Sequence, residues 1–230
     1  VKQDKKKLNN FNVSVAVTNE FMETLSRDGT YALRFNGRTY DTVRASTIWA
    51  RIMERNWDSA EPGILFIDRI NEMNPLSYCE DIAATNPCGE QPLPPDGACL
   101  LGSINIVKYL TPSWDTHLSN QLHTITSQYK INFEKMRGDI AAIIRAMDNV
   151  IDITHYPMHA QKIEATFKRR MGVGVTGMAN ALETIGHTYG SKSYIKQQSS
   201  ILKFLRDTCY ETSIELSEEK GSFNLFNAEG

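Results

Sequence analysis

The sequence predicts an α/β fold, and three observations carry that prediction. Short runs with alternating apolar residues open the chain, and long segments with apolar residues at helical spacing close it. Between them the two kinds interleave, as a sheet covered by helices requires. Phe11-Asn12-Val13-Ser14-Val15-Ala16-Val17 alternates and reads as a half-buried strand. Thr18 or Asn19 is placed to cap a short helix through Arg27. Asp28-Gly29 turns the chain into a second strand, Tyr31–Phe35, and Asn36-Gly37 is a hairpin signal. Val43, Ile48, Ile52 and Met53 then mark a helix over Val43–Trp57, ended by Glu61-Pro62-Gly63. Ile64-Leu65-Phe66-Ile67 suits a buried strand.

From Asn71 to Gly102 the pattern changes. Prolines at 75, 87, 92, 94 and 95 stand among Asn, Gly and Cys, so no regular element is expected. A long loop of this kind is usually functional. Ser103–Tyr109 alternates like a strand, and residues 111–130 read as a polar surface excursion. In Phe133–Ile153, Ile140, Ile143, Ile144, Met147, Val150 and Ile151 share one face of a helix. Further helices are expected over Val175–Ile185 and from about Gln197 to Glu219, where Gly221 supplies the stop. No repeat or Ser/Gly linker marks a domain boundary, so residues 1–230 are taken as a single domain. Both ends of the chain read as cuts from something larger.

Composition narrows the function classes. Of 230 residues 41% are hydrophobic, and Lys+Arg 25 against Asp+Glu 27 gives a net charge of −2. That balance supplies no basic footprint for nucleic acid. Apolar runs are too short to span a bilayer, and no signal-peptide core follows the N-terminal lysines. Four cysteines, at 79, 88, 99 and 209, are too few for a disulfide scaffold, which points to a reducing, cytoplasmic compartment.

Those cysteines divide. Free cysteine is most often inert packing. Cys209 lies on the stripe Ile201, Leu205, Leu216 and reads as core, and Cys79 is taken as structural too. Cys88 differs, because Asn86, Cys88 and Glu90 stand at i, i+2 and i+4. In extended backbone an amide, a thiol and a carboxylate would converge on one small substrate. Pro87 would fix the backbone there and Gly89 minimise bulk. Cys99 follows eleven residues later, after prolines that allow the loop to fold back. Without a Cys-x-x-Cys pair or a histidine at ligand spacing, a zinc site is a poor explanation. His155 and His159 flank Pro157, which would interrupt the helix a metal pair needs.

Gly172-Val173-Gly174-Val175-Thr176-Gly177 spells a dinucleotide fingerprint, but Phe167-Lys168-Arg169-Arg170 precedes it rather than a hydrophobic strand. No Asp or Glu occurs from Thr184 to Arg206 to hold a ribose. Close packing of a turn and helix is the reading adopted, and Lys168–Arg170 reads as a solvated charge run.

The run Asn86-Pro87-Cys88-Gly89-Glu90, followed by Cys99-Leu100-Leu101-Gly102-Ser103-Ile104-Asn105, closely resembles the catalytic large chain of ribonucleotide reductase. Four further blocks extend the resemblance over nearly the whole chain. They are Asn10–Val15, Leu65–Asn71, Arg169–Ala179 and Glu219–Phe223. It implies a partial ten-stranded α/β barrel of the glycyl-radical type, with the cysteine on a central finger loop. Residues 1–230 would then be one incomplete catalytic barrel domain, without the effector region and the C-terminal part of the barrel.

By that resemblance Cys88 carries a thiyl radical that takes the 3′ hydrogen of a ribonucleoside di- or triphosphate. Glu90 would accept the 3′-OH proton. Asn86 would hydrogen-bond the sugar hydroxyls within a substrate-binding run Asn86, Pro87, Cys88, Gly89 and Glu90. Cys99 matches one of two thiols that become a disulfide and are renewed by a thioredoxin- or glutaredoxin-type reductant. The second thiol of the family and its phosphate loop are absent here, so turnover is expected to need a complementing chain. The short Cys88–Cys99 interval resembles the adenosylcobalamin-dependent class. The alternative is a class I chain with a radical delivered by a separate metal-containing subunit. A competing expectation is a nucleotide-binding or interaction fragment without turnover.

Overall fold

The alternation near the N-terminus does form a strand, β1 (Ser14–Val17), in a computed structural model that describes residues 11–113 and 128–226. The chain divides into two compact units, the first ending at Gly97 and the second starting at Ala98. In the first unit Thr18 caps helix α1 (Asn19–Ser26), its hydroxyl accepting from Phe21 N at 3.1 Å. Strands β2 (Thr30–Phe35) and β3 (Arg38–Arg44) pair antiparallel. Between them Asn36 and Gly37 take φ of 47° and 75°, the left-handed pair of a tight hairpin. Helix α2 (Ala45–Ser59) starts two residues later than its periodicity suggested, because Val43 is paired with Tyr31 across the hairpin.

β4 (Gly63–Phe66) lies parallel to β1, with Ser14 opposite Gly63. It is half-buried rather than buried, and Ile67 already belongs to a short helix, α3 (Ile67–Glu72). Val17, Phe21 and Ala45 form the small core of this unit, with Tyr31, Ile48 and Trp49 against it. Phe21 and Tyr31 meet edge to face at 5.2 Å. Within the proline-rich segment two residues on each side still pair, β5 (Ala84–Thr85) with β6 (Pro92–Leu93).

The second unit is built on β7 (Leu100–Asn105) and β10 (Met171–Thr176), parallel in register from Leu100–Met171 to Asn105–Thr176. The expected strand over Ser103–Tyr109 therefore starts earlier and ends at Asn105, where a 3-10 turn (Ile106–Tyr109) begins. β8 (Leu110–Ser113) pairs antiparallel with β9 (Gln128–Ile131). Most of the expected surface excursion, 114–127, lies outside the described residues, as do residues 1–10 and 227–230.

Helix α4 (Phe133–Ile153) buries Met136, Ile140, Ile144, Met147 and Ile151, spaced by three or four. Val150, placed on that face by the sequence, is 38% exposed. α5 (His159–Lys168) and α6 (Met178–Thr184) flank β10, so the helix expected over Val175–Ile185 is a strand end and a shorter helix. The final helix, α7 (Lys192–Lys220), buries Tyr194, Ile201, Leu205, Thr208, Thr212 and Leu216, again at helical spacing. Ile140, Ile201 and Leu182 are fully buried at the centre of this core. Each such side chain contributes roughly 1.5–3 kcal/mol by leaving water.

The α/β class stands. Among the described residues the strands form five two-stranded sheets and close no barrel. No helix among them is long and apolar enough to cross a membrane.

Candidate active site

The segment Asn86–Gln91 joins β5 to β6 as a tight loop. Its first four residues are a β-turn, Gly89 N donating to Asn86 O at 3.0 Å. Asn at the first position, Pro at the second and Gly at the fourth are the residues such a turn favours. Asn86 N donates to Gln91 O at 3.0 Å, and Gln91 N donates to the Asn86 side-chain oxygen at 2.9 Å. Backbone and side chain of Asn86 thus close the loop from both sides.

This geometry revises the expectation of extended backbone. Asn86, Cys88 and Glu90 lie in a turn, so the alternation of a strand does not govern them. Gly89 has a φ of 85°, and a Cβ there would meet nothing within 4 Å. Glycine serves the left-handed backbone at that point rather than relieving bulk. Cys88 and Glu90 are exposed, and Asn86 is half-buried.

Two other asparagines hold this region from outside the loop. Asn12, just ahead of β1, donates from Nδ2 to the Pro87 carbonyl at 2.5 Å. Asn71, at the end of α3, clamps the buried Ile82: Ile82 N donates to its Oδ1 at 2.7 Å and its Nδ2 donates to Ile82 O at 3.0 Å. That pair of bonds satisfies both backbone groups of Ile82, as a strand ladder would. Neither asparagine was singled out by sequence reasoning. Their partners lie 75 and 11 residues away, and no local spacing signals such bonds.

Cys99 belongs to the second unit, immediately before β7, and Leu100 N donates to Arg170 O at 3.3 Å beside it. Its thiol is half-buried and makes a long contact of 3.7 Å to the Leu100 carbonyl. Burial pushes the thiol above its ordinary pKa, and the Arg170 guanidinium partly offsets this. Cys209 packs against the core, as its stripe predicted, and burial raises its pKa too. Cys79 does not fit the expectation of packing, because it is exposed. It lies in a sharp turn, its N donating to Leu76 O at 2.9 Å, which no apolar pattern announces.

The Gly-x-Gly-x-x-Gly run is itself the strand β10, leading into α6. Gly177, with φ of 68°, sits so close to Asn105 that an added Cβ would lie 2.6 Å from its side-chain oxygen and 2.9 Å from a Val107 methyl. Close packing accounts for that glycine. Lys168–Arg170 is not a solvated run. Glu164 pairs with Lys168 at 2.6 Å and with Arg170 at 3.2 Å, and Arg169 holds Asp148 at 2.7 Å and Asp152 at 2.6 Å. The Lys168 and Arg170 side chains are 7% and 17% exposed, so they are spent on ion pairs within the fold. Lys220 also reaches Asp148, at 2.6 Å. Burial works to raise the Asp148 pKa, but hydrogen bonds from Arg169 and Lys220 outweigh it and hold the carboxyl below its ordinary value. Among the described residues no group of three or more His, Cys, Asp or Glu could hold a metal ion.

The family model described as ribonucleotide reductase, barrel domain, matches residues 1–230. The chain belongs to the ribonucleotide reductase barrel family. Its curated relatives include a vitamin B12-dependent ribonucleoside-diphosphate reductase of Thermoplasma acidophilum, 35% identical over 96% of this chain and 27% of that protein. A protein of the same name from Mycobacterium tuberculosis is 31% identical over 95% of this chain and 30% of its own length. A vitamin B12-dependent ribonucleotide reductase of Streptomyces clavuligerus is 27% identical over 94% of the chain and 21% of its own length. The chain thus spans less than a third of the reductases it matches.

Proposed function

We propose that this chain carries the radical-bearing cysteine of a ribonucleotide reductase that makes deoxyribonucleotides for DNA synthesis. The observation that supports the reading is the Asn86–Glu90 turn, a tight loop that carries an amide, an exposed thiol and an exposed carboxylate within five residues in a chain of this family. Cys88, as a thiyl radical, takes the 3′ hydrogen, so that an S–H bond forms as a C–H bond breaks. Glu90 takes the 3′-OH proton. Asn86 commits its side-chain oxygen to Gln91, and its Nδ2 hydrogens are what it offers a sugar hydroxyl. The 2′-OH leaves as water. Cys99 and a second thiol from elsewhere in the reductase supply two electrons and close a disulfide, and Cys88 then returns its hydrogen to C3′. The half-buried Cys99 thiol stays protonated at neutral pH and so keeps the hydrogen it must donate.

Adenosylcobalamin, when bound, supplies the first radical. What it asks of this chain is a thiol open to a radical arriving from outside, and the exposed Cys88 fits that need. Names of the relatives favour cobalamin over a separate metal-containing subunit, and those from Thermoplasma acidophilum and Mycobacterium tuberculosis favour a diphosphate substrate. Both compact units belong, on this proposal, to one incomplete ten-stranded barrel in a cytoplasmic enzyme, with the Cys88 turn as its finger loop. The chain alone does not complete turnover, and a thioredoxin-type reductant renews the assembled enzyme. Complementation tests this: supplied with the flanking segments of the family, the chain should form deoxyribonucleotide only when adenosylcobalamin is added. Indifference to it, with rescue by a metal-containing radical subunit, would overturn the cofactor assignment.

A further inference from the structure

Three restraints meet at the peptide bond between Pro87 and Cys88. The pyrrolidine ring locks φ of Pro87. The turn hydrogen bond from Gly89 N to Asn86 O closes the backbone beyond Cys88 at 3.0 Å. The remaining freedom is rotation of the Pro87–Cys88 peptide plane, which carries the Cys88 nitrogen and so steers its Cα–Cβ bond. The Pro87 carbonyl of that plane accepts from Asn12 Nδ2 at 2.5 Å, a bond made across 75 residues of sequence. Asn12 is exposed, so it contributes nothing to the core. Its own strand is fixed independently, with Gly63 N donating to Val13 O at 2.9 Å and β1 paired along its length to β4.

We propose that Asn12 is a positioning residue for the Cys88 thiol, fixing the Pro87–Cys88 peptide through its amide and so the direction in which the sulfur meets the sugar. This rests on Cys88 being the hydrogen-abstracting group. Hydrogen transfer from a sugar carbon to sulfur tolerates little misplacement, and an error of about 1 Å in a reacting group is worth roughly 10²-fold in rate. The amide donor is the needed chemistry. A carboxylate of the same size at position 12 would face the carbonyl with oxygen against oxygen.

Asn12→Asp and Asn12→Gln provide the test, in the complemented reductase for kinetics and in the chain itself for amide hydrogen exchange. Asn12→Asp is expected to lower kcat by about tenfold or more while KM stays within about twofold. Exchange at Gly89 and Gln91 should accelerate several-fold, with the β1–β4 amides unchanged. Asn12→Gln keeps the donor and should recover part of kcat. Unchanged kcat in Asn12→Asp overturns the proposal, and so does acceleration spread equally over β1 and β4, which would mark a general structural role. Cys88→Ser in parallel separates the two readings. If it stays active, the radical assignment fails, whereas a dead Cys88→Ser beside a normal Asn12→Asp removes Asn12 alone.

Discussion

The turn around Cys88 and the strand that follows Cys99 present their sulfurs in opposite ways. The first is an exposed loop with a two-residue strand on either side, shaped by proline, a left-handed glycine and the amides of Asn12, Asn71 and Asn86. The second opens a six-residue parallel pair packed under α4, where Gly102 lies so near the helix that a Cβ would be 2.9 Å from Ile143 and Met147. One sulfur stands exposed on a loop fixed by directional polar bonds, and the other is half-buried at the start of a strand packed beneath a helix. A hydrogen-abstracting thiol needs access and fixed direction. A thiol that gives up its electrons later needs protection from premature ionisation. Cutting the first region should therefore damage chemistry with little loss of stability, and cutting the second should do the reverse.

Outside the cysteines, the largest effect is expected at Glu90. Glu90→Gln keeps the size but replaces one acceptor oxygen with an amide donor and cannot take a proton, and it should lower the turnover of the complemented enzyme by roughly 10²–10⁴-fold. Thermal unfolding of the chain should not move, and near-normal turnover would remove Glu90 as the base. In the second unit, Ile140→Ala empties a fully buried site and should cost about 3 kcal/mol in denaturant unfolding. Hydrogen exchange at Gly89 should stay unchanged in that variant. Breaking the ion network with Asp148→Asn leaves Arg169 and Lys220 short of a charged acceptor and should cost about 2 kcal/mol.

The same carboxyl sets a pH dependence. Its folded pKa lies below the unfolded one, so its stabilisation is fully present above the ordinary aspartate value. That stabilisation is lost as pH falls through the folded value. Unfolding free energy should thus drop more steeply below about pH 4 in the native chain than in Asp148→Asn. The smallest effect is a difference in rate between two thiols. At neutral pH a thiol reagent should modify Cys88 before Cys99, whose reaction should accelerate only at higher pH because burial disfavours its thiolate.

Local patterns in the sequence carried the hairpin at Asn36-Gly37, the cap at Thr18 and the buried face of α4, since each depends on neighbours a few residues apart. The strand β10 escaped because its glycines break the apolar alternation, and its partner β7 lies about seventy residues away. The short helices α3 and α5 also went unmarked, having too few turns to establish a period. At the candidate site the residue types were legible and the geometry was not. Asn-Pro-x-Gly is a turn signature, yet the i, i+2, i+4 spacing suggested a strand. The basic run Lys168–Arg170 looked solvated because its acidic partners Asp148, Asp152 and Glu164 come from two helices, and only folding assembles them.

The most direct test compares the four cysteines one at a time. Serine would replace Cys88, Cys79 or Cys209 in the complemented reductase, and deoxyribonucleotide formation would be measured with adenosylcobalamin present. No product above background is expected from Cys88→Ser, product within about twofold of the parent from Cys79→Ser, and only a stability loss from Cys209→Ser. In Cys99→Ser, product should stop after the first oxidation or fail to form. Sustained deoxyribonucleotide formation by Cys88→Ser would mean that Cys88 is not the hydrogen-abstracting group.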